Sequence, residues 1–218
     1  MPLRDYQSST YVAGFEAAKD FMVRVRREAI RRRMSAADMV ALLGDGAAWI
    51  WQQGKKCFPL AIQILDLYHA LEHLMKLATK LEAKPKKAKR LWRCWKKQLL
   101  ADNVARVLGQ ARKRVAKMTG EPAKLARKEV AYLERNQGRM FYATYRQLGF
   151  FYGSGVVEAG CKTVIGQRCK ASGMLWSVGG AQNVLDLRCA LYGNQFDEVW
   201  DKLNQSDYLR IKVADQVA

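Results

Sequence analysis

Two short apolar runs constrain the fold of this chain more than any other feature of its sequence. Residues 39–43 (MVALL) and 61–65 (AIQIL) are nearly continuous in apolar side chains, which is typical of strands that are buried on both faces. A helical pattern follows each run, at about residues 47–56 and from Leu67 onward. Strands joined by helical crossovers lie parallel in one sheet, so the sequence predicts an α/β fold with mostly parallel strands.

A third run, residues 10–15 (TYVAGF), is rich in residues that favour strands, and a helical pattern over about residues 17–33 follows it. The chain would then repeat strand and helix three times. Functional side chains in such a sheet gather at the carboxyl ends of the strands. Asp45 and Asp66 stand at two of these ends, so they are the first candidates for a functional site.

The positive charge of the chain is concentrated in one segment. The 218 residues include 38 lysines and arginines against 20 acids, a net charge of +18. Residues 76–128 alone hold 18 basic and three acidic residues, a net charge of +15. The pattern over residues 76–148 is helical and lacks the alternation of a strand, so we expect a basic helical insertion. A local charge of this size exceeds what solubility needs, and it favours a partner that is bound through its phosphates.

Two carboxylates are candidates for catalysis. Asp45 stands between two glycines, which would leave a site at the strand end open, although the same residue could instead cap the helix that follows. Glu158 falls in the first turn of a helix behind a glycine-rich loop, with Lys162 one turn later. An acid in that position is also stabilised by the helix N-terminus and by the lysine itself. Position alone leaves both interpretations open for both acids.

A histidine-containing motif follows the second apolar run. Asp66, His69 and His73 lie at the helical spacing of one face. A metal site formed by these three side chains is conceivable, although no fourth ligand is evident. We favour a supporting role, in which Asp66 and His69 form hydrogen bonds near the active crevice.

The remaining composition bears on the compartment. The five cysteines show no metal-binding spacing, and they suit core packing in a reducing environment. No apolar run approaches the roughly 18 residues of a membrane-spanning helix. We therefore expect a cytoplasmic protein with no membrane partner.

Four motifs stand in order along the chain: LLGDGAAWIW at residues 42–51, IQILDLYHALEHL at 62–74, GSGVVEAGCKTVIGQRCKASGMLWS at 153–177 and LRCALYGNQFDEVW at 187–200. They resemble motifs of insertion-sequence DDE transposases of the ISKra group, which are relatives of the Mutator-like transposases. A further segment at residues 4–16 (RDYQSSTYVAGFE) resembles the middle region of those enzymes, so the resemblance covers nearly the whole chain.

The resemblance implies a partial RNase H-like fold and an activity that cleaves double-stranded DNA at insertion ends and transfers its strands. The catalytic acids of the family are two aspartates and one glutamate. By motif, Asp45 would be the second acid and Glu158 the third. Their carboxylates would hold Mg²⁺, or Mn²⁺ in its place.

The other matched residues would support this chemistry. Asp66 and His69 correspond to the D-x-x-H element of the family, and Lys162 and Arg168 would hold DNA phosphates. The domains expected on this basis are the first half of the catalytic core at residues 1–75, the basic helical insertion at 76–148, and the glutamate helix with the C-terminal helices at 149–218.

The sequence departs from the family at the first catalytic aspartate. None of the acids before Asp45 follows a buried apolar run, so we expect the chain to lack the first strands of the core and the first acid, as a truncated copy would. We therefore expect little catalytic activity from the chain by itself. A full-length transposase or a second copy of this chain would be its protein partner.

Two other functions stay open at this point. A catalytically dead derivative of a transposase could bind insertion ends and regulate the intact enzyme. A basic helical protein that binds RNA would also suit the charge, and its function would not depend on Asp45 or Glu158.

Overall fold

The computed structural model describes residues 8–205, which divide into two compact units: residues 36–156, and residues 8–35 together with 157–205. Residues 1–7, which include the start of the segment similar to the family's middle region, and residues 206–218, which end the predicted last domain, lie outside the described part. The elements, in chain order, are α1 (Ala18–Arg31), β1 (Ala41–Gly44), α2 (Ala48–Cys57), β2 (Ile62–Leu65), α3 (Leu67–Leu81), α4 (Pro85–Leu99), α5 (Val104–Val115), α6 (Gly120–Arg135), α7 (Tyr142–Gln147), α8 (Gly155–Gly160), a π-helical turn (Cys161–Gly166), α9 (Gln167–Cys169), α10 (Val178–Tyr192) and α11 (Phe196–Asn204).

The two strands form the parallel pair that the sequence predicts. They pair in register from Ala41 opposite Ile62 to Gly44 opposite Leu65, and α2 makes the crossover between them. Two apolar runs with a helical pattern between them predict this strand pair, because a strand can reach a parallel neighbour only through such a crossover. The first unit is mostly helical and has one small parallel sheet, which is compatible with the α/β class.

β1 is less buried than its apolar run predicts. Met39, just before it, is 49% exposed, and the strand itself is exposed or half-buried along its length. In β2, by contrast, Ile64 and Leu65 are fully buried. The prediction of burial on both faces is therefore wrong for β1. The sheet in the described part has two strands, so each has a neighbouring strand on one side only. The other side of β2 is covered by the helical insertion, whereas Leu42 and Leu43 of β1 are only partly buried against the core.

The prediction of a strand at residues 10–15 is also wrong, because this segment has no strand structure. Two of its backbone groups bind a side chain instead of a neighbouring strand. The amide of Gln182 donates to the carbonyl of Ala13 at 3.1 Å, and its Oε1 accepts from the N–H of Phe15 at 3.3 Å. An amide side chain thus satisfies the donor and the acceptor that a strand partner would otherwise take.

The outer edge of β2 is covered by tyrosines of the helical insertion. The hydroxyl of Tyr142 donates to the carbonyl of Leu65 at 3.1 Å, and that of Tyr145 donates to the carbonyl of Gln63 at 3.3 Å. The guanidinium of Arg139 adds a bond to the Gln63 side chain at 2.7 Å. Backbone groups on an open sheet edge invite pairing with another strand, and here side chains occupy two of them.

The core of the first unit lies between α3 and the helices of the insertion. Helices α4 to α7 confirm the helical character predicted for residues 76–148, and residues 85–147 belong to the same compact unit as the two strands. α3 packs against α4 and α6, and α5 packs against both of these. Trp95 is fully buried and donates from its ring N–H to Gln110 at 2.7 Å. Each large apolar side chain buried in this way contributes about 2 kcal/mol to stability.

The second unit has a smaller core, made of Ala13, Val164, Leu185 and Cys189. Burial raises the pKa of the Cys189 thiol to about 11, so the thiol stays protonated and packs as an apolar group. Core packing was expected of all five cysteines, but Cys189 alone among them is buried. Within residues 8–205, no helix is both long enough and apolar enough to cross a membrane.

Candidate functional site

Asp45 lies at the carboxyl end of β1, in the turn that leads into α2. Its side chain is exposed, and its Oδ1 accepts a hydrogen bond from the N–H of Ala47 at 2.9 Å. Gly46 adopts a φ of +92°, a left-handed conformation that favours glycine. The N-cap residue of α2 is Ala47, and no side chain caps the helix. Asp45 is therefore not the helix cap that its position also suggested, and its Oδ2 accepts no hydrogen bond within residues 8–205.

The hydroxyl of Tyr132, on α6, reaches the same turn. It donates a hydrogen bond to the main-chain carbonyl of Asp45 at 2.7 Å. Burial, and then the carboxylates of Asp45 and Asp66, raise the pKa of Tyr132 to about 12, so the hydroxyl keeps its proton at neutral pH and remains a donor. The sequence does not single out this residue, because no pattern in a basic helix marks a tyrosine whose hydrogen-bond partner is 87 residues away.

Asp66 is fully buried and caps α3. Its Oδ1 accepts from the N–H of His69 at 2.9 Å, and its Oδ2 accepts from the N–H of Ser154 in the glycine-rich loop. Beside it, the N–H of Leu67 donates to the carbonyl of Tyr152 at 2.9 Å. Both carboxylate oxygens accept from backbone donors and the side chain is fully buried, so Asp66 orders the loop and offers no exposed oxygen to a ligand.

The two histidines lie in different environments. The side chain of His69 is 40% exposed. The Nδ1 of His73 lies 2.6 Å from the carboxylate of Glu129 on α6, and its ring stacks on Tyr132 with centroids 3.6 Å apart and planes 18° from parallel. A metal site made of Asp66 and these two histidines is therefore not formed in the described structure.

Glu158 belongs to the second unit. As the sequence predicts, it lies in the first turn of a helix, α8, and it is exposed. Lys162 is exposed in the π-helical turn that continues this helix, and Arg168 is exposed in α9. The guanidinium of Arg168 lies 5.5 Å from the centre of the Trp176 ring, and Arg188 of α10 donates to two carbonyls of the π-helical turn. Wider helical turns of this kind are frequent at functional sites.

A row of cations runs along the outer face of α4. Its four side chains are all exposed and follow one another at helical spacings of four, three and four residues, opposite the buried face that includes Trp95 and Leu99. At 1.5 Å per residue the row is about 16 Å long. None of its members forms an ion pair within the described residues. We call this row the α4 stripe; its members are Lys86, Arg90, Arg93 and Lys97.

The neighbouring helices of the insertion are also basic, and few of their charges are neutralised. Cations of α5 and α6 are exposed along both helices. In these two helices the described residues contain three ion pairs between a cation and an acid: Arg112 with Glu134, Arg114 with Glu82 and Lys124 with Glu121. The basic face predicted from the composition is therefore exposed at the surface of the first unit.

Asp45 has the chemistry that a magnesium ligand needs. Mg²⁺ prefers hard oxygen ligands and often takes one or two protein carboxylates, with water and phosphate oxygens completing its shell. The exposed carboxylate at the end of β1 fits that pattern, and Asp66 does not, because it is fully buried and both of its oxygens bind backbone N–H groups. Within residues 8–205, no group of three or more histidine, cysteine, aspartate or glutamate side chains is arranged to hold one metal ion.

Compared with known proteins, the chain matches no family model, no curated protein and no solved structure.

Proposed function

We propose that this chain acts on double-stranded DNA as part of a DDE-type transposase. It binds the DNA through its basic helices, and it contributes Asp45 and Glu158 to metal-dependent cleavage and strand transfer. The exposed α4 stripe is the observation that carries the DNA-binding part of this proposal. The resemblance of four motifs to ISKra-group enzymes supports the transposase class and the RNase H-like core.

The α4 stripe suits a phosphate backbone in spacing and in rigidity. Duplex DNA carries one negative charge per about 1.7 Å of its axis, so each cation in a row about 16 Å long has phosphates within reach. The helix that carries the row is anchored by the fully buried Trp95 and by Leu99, which is 1% exposed. A row on an anchored helix loses less backbone freedom on binding than a mobile segment would.

Asp45 and Glu158 support the catalytic part by their chemistry. Both are exposed, and both lie where their backbone elements start or end: Asp45 after a parallel strand, Glu158 in the first turn of a helix. Each would offer carboxylate oxygen to Mg²⁺ or Mn²⁺. Such an ion, when bound, activates water or a 3′-hydroxyl and stabilises the leaving oxygen. Lys162 and Arg168 would hold phosphates near Glu158.

The test uses the purified chain with labelled insertion-end duplex, and with RNA of the same length as a competitor. We expect tight, salt-sensitive binding of the duplex, because phosphate contacts release counterions. Because the chain by itself should have little activity, cleavage is measured with Mn²⁺ both without and with added full-length transposase, for the wild type, Asp45→Asn and Glu158→Gln, with Asp38→Asn as an exposed acid control. Cleavage that both site variants abolish and the control retains would support the enzymatic role.

Two other outcomes would change the assignment. The chain would be a DNA-binding regulator if it binds the duplex but shows no Asp45-dependent cleavage, even after the full-length transposase is added. Preference for RNA over the insertion-end duplex, unaffected by either acid, would contradict the proposal as a whole.

A further inference from the structure

Tyr132 contacts Asp45 in a way that leaves the carboxylate untouched. The tyrosine hydroxyl donates to the main-chain carbonyl of Asp45 at 2.7 Å, while the Asp45 Oδ1 accepts from Ala47 within the turn. The first bond restrains the peptide plane that follows Asp45, and the second restrains its side-chain torsion. Together they set where the remaining oxygen, Oδ2, points, and neither of them uses it.

The turn and the tyrosine are fitted to each other. A Cβ atom at Gly46 would lie 2.4 Å from the Tyr132 hydroxyl oxygen, closer than such atoms approach in proteins. The residue after Asp45 therefore has to be a glycine for steric reasons as well as for its φ of +92°. The hydroxyl occupies the space that a side chain at this position would take.

The tyrosine is itself held from behind by α3 and α6. Its ring stacks on the His73 imidazole, with centroids 3.6 Å apart. The Nδ1 of His73 lies 2.6 Å from Glu129, three residues before Tyr132 on the same helix. Because His73 stands on α3 and the other two residues on α6, the stack fixes the tyrosine ring against two packed helices.

We propose that Tyr132, supported by His73 and Glu129, is a positioning residue that orients the Asp45 carboxylate for a divalent cation. This inference rests on the proposed function, since it assigns a cation to Asp45. A hydrogen bond to the backbone of a metal-binding residue orients its side chain without using the atoms that coordinate the metal. Loss of such supporting bonds typically weakens metal binding by about 10- to 100-fold.

The test compares two tyrosine variants of the full chain. Tyr132→Phe removes the hydroxyl and keeps the ring on His73. Tyr145→Phe is the matched control, because its hydroxyl also donates to a backbone carbonyl, that of Gln63 in β2. Amide hydrogen exchange at Ala47 reports the order of the turn without any metal. Mn²⁺ titration followed by electron paramagnetic resonance reports cation affinity, with Asp45→Asn to show which ions bind at this residue.

We expect Tyr132→Phe to speed exchange at Ala47 and to weaken Mn²⁺ binding by about 10- to 100-fold, and we expect Tyr145→Phe to change neither. If Asp45→Asn weakens Mn²⁺ binding but Tyr132→Phe alters neither readout, the positioning role is overturned and the proposed function stands. If Asp45→Asn leaves Mn²⁺ binding unchanged, the cation at Asp45 is refuted, and with it both the catalytic part of the proposed function and the role of Tyr132.

Discussion

The buried carboxylate of Asp66 accepts a hydrogen bond from the backbone N–H of Ser154, and this bond joins the end of β2 to the glycine-rich loop before α8. The other oxygen of Asp66 accepts from the backbone N–H of His69 and so caps the first turn of α3. One side chain thus binds two backbone N–H groups: that of His69, three residues further along the chain, and that of Ser154, 88 residues further along.

Asp66→Asn should destabilise the protein by about 2 kcal/mol, because a buried donor that loses a charged acceptor costs about that much. The amide retains one acceptor oxygen, so one of the two backbone N–H groups would face an NH₂ group instead. Urea unfolding of the full chain measures the change. Asp38→Asn, an exposed control, should stay within about 0.5 kcal/mol of the wild type; a similarly small change in Asp66→Asn would show that the buried bonds contribute little.

Substitution of the four α4-stripe cations by glutamine should weaken duplex binding and flatten its salt dependence. Each phosphate contact contributes about 0.9 to the slope of log K against log salt, so the slope should lose about 3.6 if all four cations bind phosphates. Fluorescence anisotropy over a series of salt concentrations measures this slope.

The control for the stripe removes the same number of charges elsewhere, at four exposed positions. It should keep most of the wild-type slope. Equal slopes for the two quadruple variants would mean that net charge, and not the face of α4, governs binding. The control positions are Lys19, Arg27, Lys55 and Lys56.

Glu28 should make the stability of the second unit depend on acidity. Its hydrogen bonds to Arg31, which are the largest cause, and those to Thr10 and Gln195 lower its pKa from 4.5 to about 2. A carboxyl group whose pKa is lower in the folded state stabilises the fold above its unfolded pKa, and it loses that contribution as the pH falls through the folded value. The free energy of unfolding of the wild type should therefore exceed that of Glu28→Gln by the full amount near neutral pH, and this difference should shrink between pH 4.5 and about 2.

Chemical unfolding at several pH values measures this difference between wild type and Glu28→Gln. Glu121→Gln is a suitable comparison, since Glu121 is exposed and lies in the first unit. A difference for Glu28→Gln that stays constant down to pH 2 would contradict the role of its ion pair with Arg31.

Gly46→Ala should destabilise the first unit by more than about 1 kcal/mol, because alanine is strained at a positive φ and its Cβ would meet the Tyr132 hydroxyl. The penalty should be smaller in a Tyr132→Phe background, since the closest atom is then absent. A double-mutant cycle, read by urea unfolding, measures this coupling. Additive effects would show that backbone strain alone accounts for the cost.

Local pattern was enough to determine several features of this protein. The parallel pair of β1 and β2, the helical nature and basic charge of residues 85–147, and the positions of Asp45 at a strand end and Glu158 in a first helical turn all follow from periodicity and from residues a few positions apart. Helical and strand periods depend on interactions within one turn or one strand, which the order of residues records directly, and strands joined by a helical crossover pair in parallel.

Other features were decided only by tertiary contacts. Residues 10–15 have the composition of a strand, but they form none, and the side chain of Gln182 binds two of their backbone groups. The hydroxyl of Tyr132 reaches the carbonyl of Asp45 because the packing of α3 against α6 fixes the position and orientation of the Tyr132 ring. These partners lie more than 80 residues apart, and their meeting depends on how whole helices pack, a geometry for which no local sequence pattern carries a signal.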